Sequence, residues 1–429
     1  MVSLWATLEP QGKLDPQPWL TSAATRAVMA ALSAEGAVPR FVGGCVRDGL
    51  AKRAVNDIDI ATPDEPEKVM ALAEAAGLKA IPTGIAHGTV TVVSDDVRYE
   101  VTTLRRDVET DGRHARVQYT DDWSEDAKRR DFTINALSAN AAGDVYDYFD
   151  GIPDLAHGRI RFVGRASERI EEDYLRILRY FRFHAHYGRP PADRNAVVAC
   201  RRHAAQLERL SGERVRDEFL KILVADEPAE VLLLMGANGV LEHVLAEAGD
   251  IGRLRMASWL SSRALTIPDV VPDPLRRLAA LTRPDLTADE AAAVAARFRL
   301  SNHDTDRLVA MATPPDGLDA VSGPPDRRRL LHRLGPETVR DAVMLAWAGE
   351  MAIQPKLPAA RTEGWRIWLE DCAGWQGAVF PLSGRDVMDL GVPSGPRVGE
   401  LLARVEAWWQ AGDFQASRED CLAELGRLL

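Results

Sequence analysis

Gly43-Gly44-Cys45-Val46-Arg47-Asp48, followed by Asn56-Asp57-Ile58-Asp59-Ile60-Ala61, is the stretch whose reading decides the fold. The glycine pair after Arg40-Phe41-Val42 permits a tight turn and close backbone approach, and residues 45 to 52 or so continue as a short helix with free N–H groups at its start. Arg47 adds a planar donor for an anion held there. The second segment alternates polar and apolar residues as a half-buried strand does, so Asp57 and Asp59 point the same way. Two hard carboxylates on one face suit Mg²⁺, which takes oxygen ligands and shares them with substrate phosphates. The plainer reading is a Gly-Gly turn beside a solvated Asp pair, and the glycine–arginine element just upstream weighs against it.

Outward from this stretch, residues 21–36 read as a capped helix ending at Gly36, and residues 66–77 as a second helix. Residues 88–93 and 97–104 read as two strands around a Ser94-Asp95-Asp96 turn. The first 20 residues or so, with Pro10, Pro16 and Pro18, read as an irregular lead-in. Beyond about Asp150 the β signal nearly disappears, and Ala, Leu, Arg and Glu dominate between Pro-containing loops near 268–274, 314–325 and 355–358. The expected class is α+β: a mixed β-sheet head with helices, then a long all-α remainder.

The 429 residues suffice for two to four domains, and 46% hydrophobic with 27% charged side chains is ordinary globular composition. Cys45, Cys200, Cys372 and Cys421 lie far apart without a C-x-x-C pair, which argues against a zinc module or disulfide framework and fits a reducing cytoplasm. No apolar run approaches the roughly 18 residues of a membrane span, and the N-terminus lacks a basic-then-apolar signal, so no membrane partner is expected. The net charge of −11 argues at first against nucleic acid. Between Arg159 and Lys221, however, 15 basic residues face 9 acidic ones, so this stretch is locally basic within an acidic chain.

G-G-x-V-R-D followed by D-I-D-I-A-T resembles the first motif of the class II tRNA nucleotidyltransferase (CCA-adding enzyme) and bacterial poly(A) polymerase family. Other stretches match in order. Arg129-Arg130-Asp131-Phe132-Thr133-Ile134-Asn135 resembles the second motif, in which adjacent arginines supply phosphate donors while Asp131 and Asn135 can read sugar hydroxyls. Asp147-Tyr148-Phe149-Asp150-Gly151 resembles a short third motif closing the head, and Glu172-Asp173-Tyr174-Leu175-Arg176 the E-D-x-x-R templating motif. Ser211-Gly212-Glu213-Arg214 with Glu218 and Lys221 resembles a fifth motif that braces a helical neck, and Phe380-Pro381-Leu382-Ser383-Gly384-Arg385-Asp386 a tail segment.

The resemblance implies a polymerase-beta-like palm in which Asp57 and Asp59 hold Mg²⁺. It implies that Gly43, Gly44 and Arg47 contact the incoming triphosphate. The implied activity is template-independent addition of the 3′-terminal CCA of tRNA from CTP and ATP, with the tRNA 3′ end and acceptor minihelix as partner. The implied division is a head over 1–158, a base-recognising neck over 159–225, an RNA-binding body over 226–330 and a tRNA-binding tail over 331–429. A poly(A) polymerase, a catalytically idle RNA-binding protein on the same scaffold and a small-molecule nucleotidyltransferase stand as alternatives.

Residues 170–186 have helical spacing, with Tyr174, Leu178, Phe181 and Ala185 as the expected buried stripe. Asp173 and Arg176, three apart, are expected as neighbours on one face, with Arg179 and Arg182 continuing a basic stripe toward the nucleotide. A carboxylate accepting from an exocyclic amine and a guanidinium donating to the adjacent ring nitrogen would fit both CTP and ATP. The plainer reading is a surface ion pair. Glu100 on the second hairpin strand is a candidate third carboxylate, at the metal or polarising the attacking hydroxyl; the plainer reading is a solvated strand Glu. Residues 105–123 read as a mobile polar loop, and a loop here in the family helps switch from C to A addition. His303-Asp304 spells an HD doublet without partners at useful spacing and reads as a helix start; Trp365, Trp368, Trp408 and Trp409 read as packing residues.

Overall fold

The segments that alternate in the sequence assemble into one eight-stranded sheet in the computed structural model, which describes residues 9–111 and 114–429 and their side chains except those of 107–111 and 114–117. Two compact units form: one runs through Ala225 and includes Glu230–Ala246, and the other comprises Asp226–Ala229 and Glu247–Leu429.

In the first unit the strands are β1 (Gly12–Lys13), β2 (Arg40–Val42), β3 (Ile58–Thr62), β4 (Lys79–Gly84), β5 (Thr89–Ser94) and β6 (Val97–Thr103). A separate hairpin is built from β7 (Arg105–Asp111) and β8 (His114–Tyr119), and β9 (Ser138–Ala139) and β10 (Asp144–Tyr146) return to the sheet. The sheet order is β1-β10-β9-β2-β3-β6-β5-β4, with β3 and β6 parallel and the other pairs antiparallel. The β5–β6 turn is carried by Asp95 and Asp96, both at positive φ, as a two-residue hairpin requires. Ile58, Ile60, Val90, Val92, Tyr99 and Val101 enter one core together with Val28 and Leu32 of α2 (Ala23–Leu32). Val69 and Ala73 of α4 (Pro66–Ala75) join the same core. Ile58 pairs with Tyr99 in register and Asp59 with Glu100, so the two carboxylates stand one residue out of phase with the core and share the opposite face.

Several expectations are corrected. Within the lead-in, Gly12–Lys13 pairs with β10 and Pro18–Thr21 forms a first helical turn, α1; residues 1–8 lie outside the described residues. The 105–123 segment is a hairpin rather than a loop, with a bulge between Asp107 and Glu109, followed by α5 (Trp123–Lys128); Gly112 and Arg113 lie outside the described residues. The charged residues of β7 and the shortness of the alternation in β8 make the segment look like a polar loop in sequence. The segment at 170–186 is two helices, α7 (Ala166–Glu172) and α8 (Arg176–Tyr187), separated by extended backbone at Asp173 (φ −156°, ψ 108°). Leu178 and Phe181 are fully buried on α8, whereas Tyr174 and Ala185 are only half-buried.

Helices complete both units. In the first are α3 (Gly44–Leu50), α6 (Gly151–His157), α9 (Arg194–His203) and α10 (Gly212–Leu223), and α11 (Pro228–Ala237) follows. Among the described residues past Asp150 there is no named strand, as the composition predicts. In the second unit Asp341, 1% exposed, accepts from Arg276 and Arg307, an ion network among helices. Trp365, Trp368 and Trp409 are buried as packing residues, while Trp408 is 37% exposed. His303-Asp304 opens a helix at Asn302, capped by Ser301. The Phe380–Asp386 tail segment caps a short helix through Ser383 and packs beside Val387, Leu401, Val405 and Trp409.

Candidate active site

Gly43 ends β2 at φ 66°, and a Cβ there would stand 3.0 Å from a nitrogen of Arg130, so the turn and the close approach both call for glycine. The turn delivers α3, whose Arg47 is 9% exposed and donates Nη1 to Asn135 Oδ1 at 2.6 Å. Its Nε and Nη2 bind the two oxygens of Asp48 at 3.0 and 2.9 Å.

Asp59 is half-buried on β3. Burial, the neighbouring Glu100 and, less strongly, Asp57 push its carboxyl up to about 6, while Arg130 and Arg47 oppose the shift. Asp57 is exposed and lies one residue before β3 begins, and Glu100 is exposed on β6. Among the described residues no group of three or more His, Cys, Asp or Glu side chains is gathered as a metal-holding cluster. The donors are nonetheless of the right kind. Asp57 and Asp59 offer hard oxygens, and the unrelieved crowding at Asp59 is what a divalent cation would neutralise; Mg²⁺ commonly takes one or two carboxylates and completes its shell with water and phosphate.

The second arginine segment is held by a residue the sequence reading did not single out. Asp126 is 2% exposed and accepts from Arg129 Nε at 2.9 Å and Arg130 Nη2 at 3.1 Å. Burial alone would raise its pKa, but the guanidiniums of Arg130 and Arg129 bring it below the usual carboxylate range. Arg169, on α7, donates to the carbonyls of Arg129 and Arg130. Phe132 anchors the segment, its ring 4.8 Å from Phe162 and 5.2 Å from Phe183. Asp131 is fully engaged: Oδ1 accepts from Phe132 N and Asn135 Nδ2 at 2.9 and 3.0 Å, and Oδ2 from Arg179 Nε at 2.7 Å. Burial opposes ionisation of Asp131, yet Arg179, Asn135 and the Phe132 amide hold its pKa low.

The helix break changes the geometry of the E-D-x-x-R stretch. Asp173 and Arg176 are not paired with each other: Asp173 accepts from Leu175 N at 3.1 Å and Arg214 at 2.7 Å, whereas Arg176 donates to Glu172 and to the Arg169 carbonyl. Arg182 donates to buried Glu218 at 3.1 Å. Burial lowers the Arg182 pKa. For Arg179, burial is outweighed by Asp131 and Glu218, and its pKa rises.

These elements enclose a cleft of about 520 Å³ lined by Gly43, Gly44, Arg47, Asp59, Arg129, Arg130, Asp131, Asn135, Asp173, Arg176, Arg179 and Arg182. Asp57 and Glu100 are not among its lining residues; Leu175, Phe183 and Arg214 are, so seven arginines face three aspartates. Such a volume accommodates a nucleotide-sized ligand, and the arginine excess suits a polyanion. Arg214 was legible as part of a bracing segment; Phe183 and Asp126 carried only their helical spacing to the arginines.

The family described as "Poly A polymerase head domain" matches residues 39–161, and that described as "Probable RNA and SrmB- binding site of polymerase A" matches residues 193–250. The mitochondrial CCA tRNA nucleotidyltransferase 1 of Danio rerio is 34% identical over 393 residues, covering 90% of this chain and 87% of that protein. The human counterpart is 32% identical over 393 residues, covering 90% of this chain and 85% of that protein. The structure of the Bacillus stearothermophilus CCA-adding enzyme in complex with CTP superposes with a TM-score of 0.75 at 27% identity, covering 96% of this chain and 98% of that one. From these matches over nearly the whole length, the chain belongs to the class II CCA-adding enzyme family of tRNA nucleotidyltransferases.

Proposed function

We propose that the chain is a template-independent tRNA nucleotidyltransferase that builds or repairs the 3′-terminal CCA of tRNA from CTP and ATP, releasing pyrophosphate. The observation that carries this reading is the cleft: seven arginines beside Asp59, with Asp173 and Arg176 on the wall. Relatives named for CCA addition over 90% of the chain support it, and favour it over poly(A) synthesis.

In this reading Arg47, Arg129 and Arg130 hold the triphosphate, their guanidiniums already oriented by Asn135, Asp48 and Asp126. Asp57 and Asp59 would hold the divalent cation, taken to be Mg²⁺, which supplies Lewis acidity to the hydroxyl and phosphate oxygens it meets. The tRNA 3′-oxygen forms a bond to the α-phosphorus, the bond to the pyrophosphate oxygen breaks, and the arginines keep the departing charge in place. Glu100, in register with Asp59, polarises the attacking hydroxyl. Asp173 and Arg176 read the base by accepting from its amine and donating to its ring nitrogen. Uracil and guanine present the reverse polarity, at a discrimination of about 1–3 kcal/mol by analogy with groove readout. Arg214 pairs with Asp173 and Glu172 with Arg176, so each reader has its own anchor.

Residues 1–158 act as head, 159–225 as neck, 226–330 as RNA-binding body and 331–429 as tRNA-binding tail, gripping the acceptor minihelix by shape and phosphate contacts. The reducing cytoplasm is the compartment we assign, on four cysteines that are all free and buried. Among the described residues no helix is long and apolar enough to cross a membrane.

Purified protein with Mg²⁺ incorporates CTP into tRNA lacking its CCA end; Asp57→Ala or Asp59→Ala abolishes incorporation and leaves tRNA binding, read by gel shift, within about threefold. Turnover retained in both variants would overturn the assignment.

A further inference from the structure

Arg47 spends three of its five N–H groups inside the protein, one on Asn135 and two on Asp48. The Asp48 contact is an unusual one, because successive residues of a helix do not face each other. What holds Asp48 back against Arg47 is Tyr187, the last residue of α8, whose phenol donates to Asp48 Oδ1 at 2.6 Å. The same ring lies 4.5 Å from the guanidinium carbon of Arg47 and 4.3 Å from that of Arg53. Tyr187 therefore meets Arg47 twice, directly through its π face and indirectly through Asp48, yet it does not line the nucleotide cleft. Its neighbour one helical turn earlier, Phe183, is in the cleft and packs its ring 5.1 Å from the same guanidinium.

We propose that Tyr187 is a positioning residue for nucleotide binding: its hydroxyl, through Asp48, and its ring fix the Arg47 guanidinium so that its two remaining N–H groups are presented to the triphosphate. The inference rests on the reading of Arg47 given above and adds to it the device that aims the side chain. Because the triphosphate is common to both substrates, the device serves CTP and ATP alike and leaves base choice to Asp173 and Arg176. A residue that only packed α8 against α3 would act through its shape, and Phe keeps that shape.

Steady-state kinetics with CTP on tRNA lacking CCA, and with ATP on tRNA lacking only the terminal A, test this on Tyr187→Phe, Tyr187→Leu, Arg47→Lys and the Tyr187→Phe/Arg47→Lys double variant. Tyr187→Phe is expected to raise KM for both nucleotides by about 3- to 10-fold with kcat within about twofold, and Tyr187→Leu to raise it further. In the Arg47→Lys background, Tyr187→Phe is expected to change KM by less than about twofold, because the hydroxyl acts through the guanidinium. An unchanged KM in Tyr187→Phe would overturn the proposal, even if Tyr187→Leu fails to fold. So would an undiminished effect in the double variant, which would place the action of Tyr187 elsewhere. Arg47→Lys with an unchanged KM for both nucleotides would overturn the reading of Arg47 and the inference with it, whereas a raised KM there with an inert Tyr187→Phe would overturn the inference alone.

Discussion

Asp59 is a carboxylate held among like charges, with its register partner Glu100 on the next strand and Asp57 two residues before it. A carboxyl raised from 3.8 to about 6 on folding contributes stability that is fully present below its unfolded pKa and is lost as pH rises through 6. In metal-free protein at pH 8, Asp59→Asn is therefore expected to raise unfolding stability by on the order of 2 kcal/mol, with little effect at pH 4. Denaturant unfolding in chelator, repeated with Mg²⁺, checks this: the cation should narrow the gap, and a variant no more stable than wild type at pH 8 would contradict the crowding. Arg176 tests base reading at the same scale. Arg176→Ala should lower the CTP-to-UTP incorporation ratio by about tenfold or more as well as the rate, since in the proposed reading Arg176 donates to the ring nitrogen, where uracil carries an N–H. An unchanged ratio counts against a protein template. That Gly43, Arg47, Arg129, Arg130, Asp173 and Arg176 gather at one cleft was legible in the sequence from their motifs, because they are residue types suited to phosphate and base chemistry. The hidden part is what holds them. Asp126 looks like an ordinary surface acid in sequence, Glu172 and Glu218 stand out only as members of motifs, and only the fold shows Asp126 and Glu218 buried against arginines.

Three segments departed from expectation, and two of them, 170–186 and 105–123, have a physical cause that can be named. The spacing at 170–186 suits one helix, but Asp173 adopts extended backbone, and its side chain takes up the Leu175 N–H at the start of α8 and the guanidinium of Arg214. Local side-chain bonding of Asp competes with helical continuation, a contest that periodicity does not record. The break leaves Asp173 and Arg176 on the cleft wall with separate partners, Arg214 and Glu172, rather than as an ion pair. The β7–β8 hairpin was read as a loop because the segment is rich in charged residues, with Arg105, Arg106, Asp107, Glu109 and Asp111 in β7, and the alternation of β8 is confined to one short strand. Its resemblance to a family segment that switches C to A addition gives it a test. Replacing residues 106–118 by a short Gly-Ser turn should leave CTP incorporation within about threefold and cut ATP incorporation on tRNA lacking only A by tenfold or more, since the hairpin forms a sheet of its own outside the main one. Equal loss of both would assign the hairpin a structural part instead. By contrast, β3, β5 and β6 were readable from alternation alone, as strands with one buried face are.

Across the whole molecule, a net charge of −11 coexists with a cleft that seven arginines line. Charge balance summed over the chain therefore said little about nucleic acid, and its distribution said more: the basic stretch from Arg159 to Lys221 contributes Arg176, Arg179, Arg182 and Arg214 to that cleft. The all-helical remainder was legible as helix from composition, but not its partition, because helices of similar Ala, Leu and Arg content pack in either unit. What the assembled chain makes at a tRNA 3′ end is the property on which the assignment rests. Incubating the protein with Mg²⁺ and tRNA lacking CCA, CA or A, each with CTP, ATP or both, and sequencing the 3′ ends, reads that product directly. With CTP alone, two C residues are expected on tRNA lacking CCA, one on tRNA lacking CA and none on tRNA lacking A; with ATP alone, A is expected only on tRNA lacking A; with both nucleotides, all three substrates are expected to stop at CCA. Extended A tails, or no incorporation by protein that still binds tRNA, would contradict the assignment.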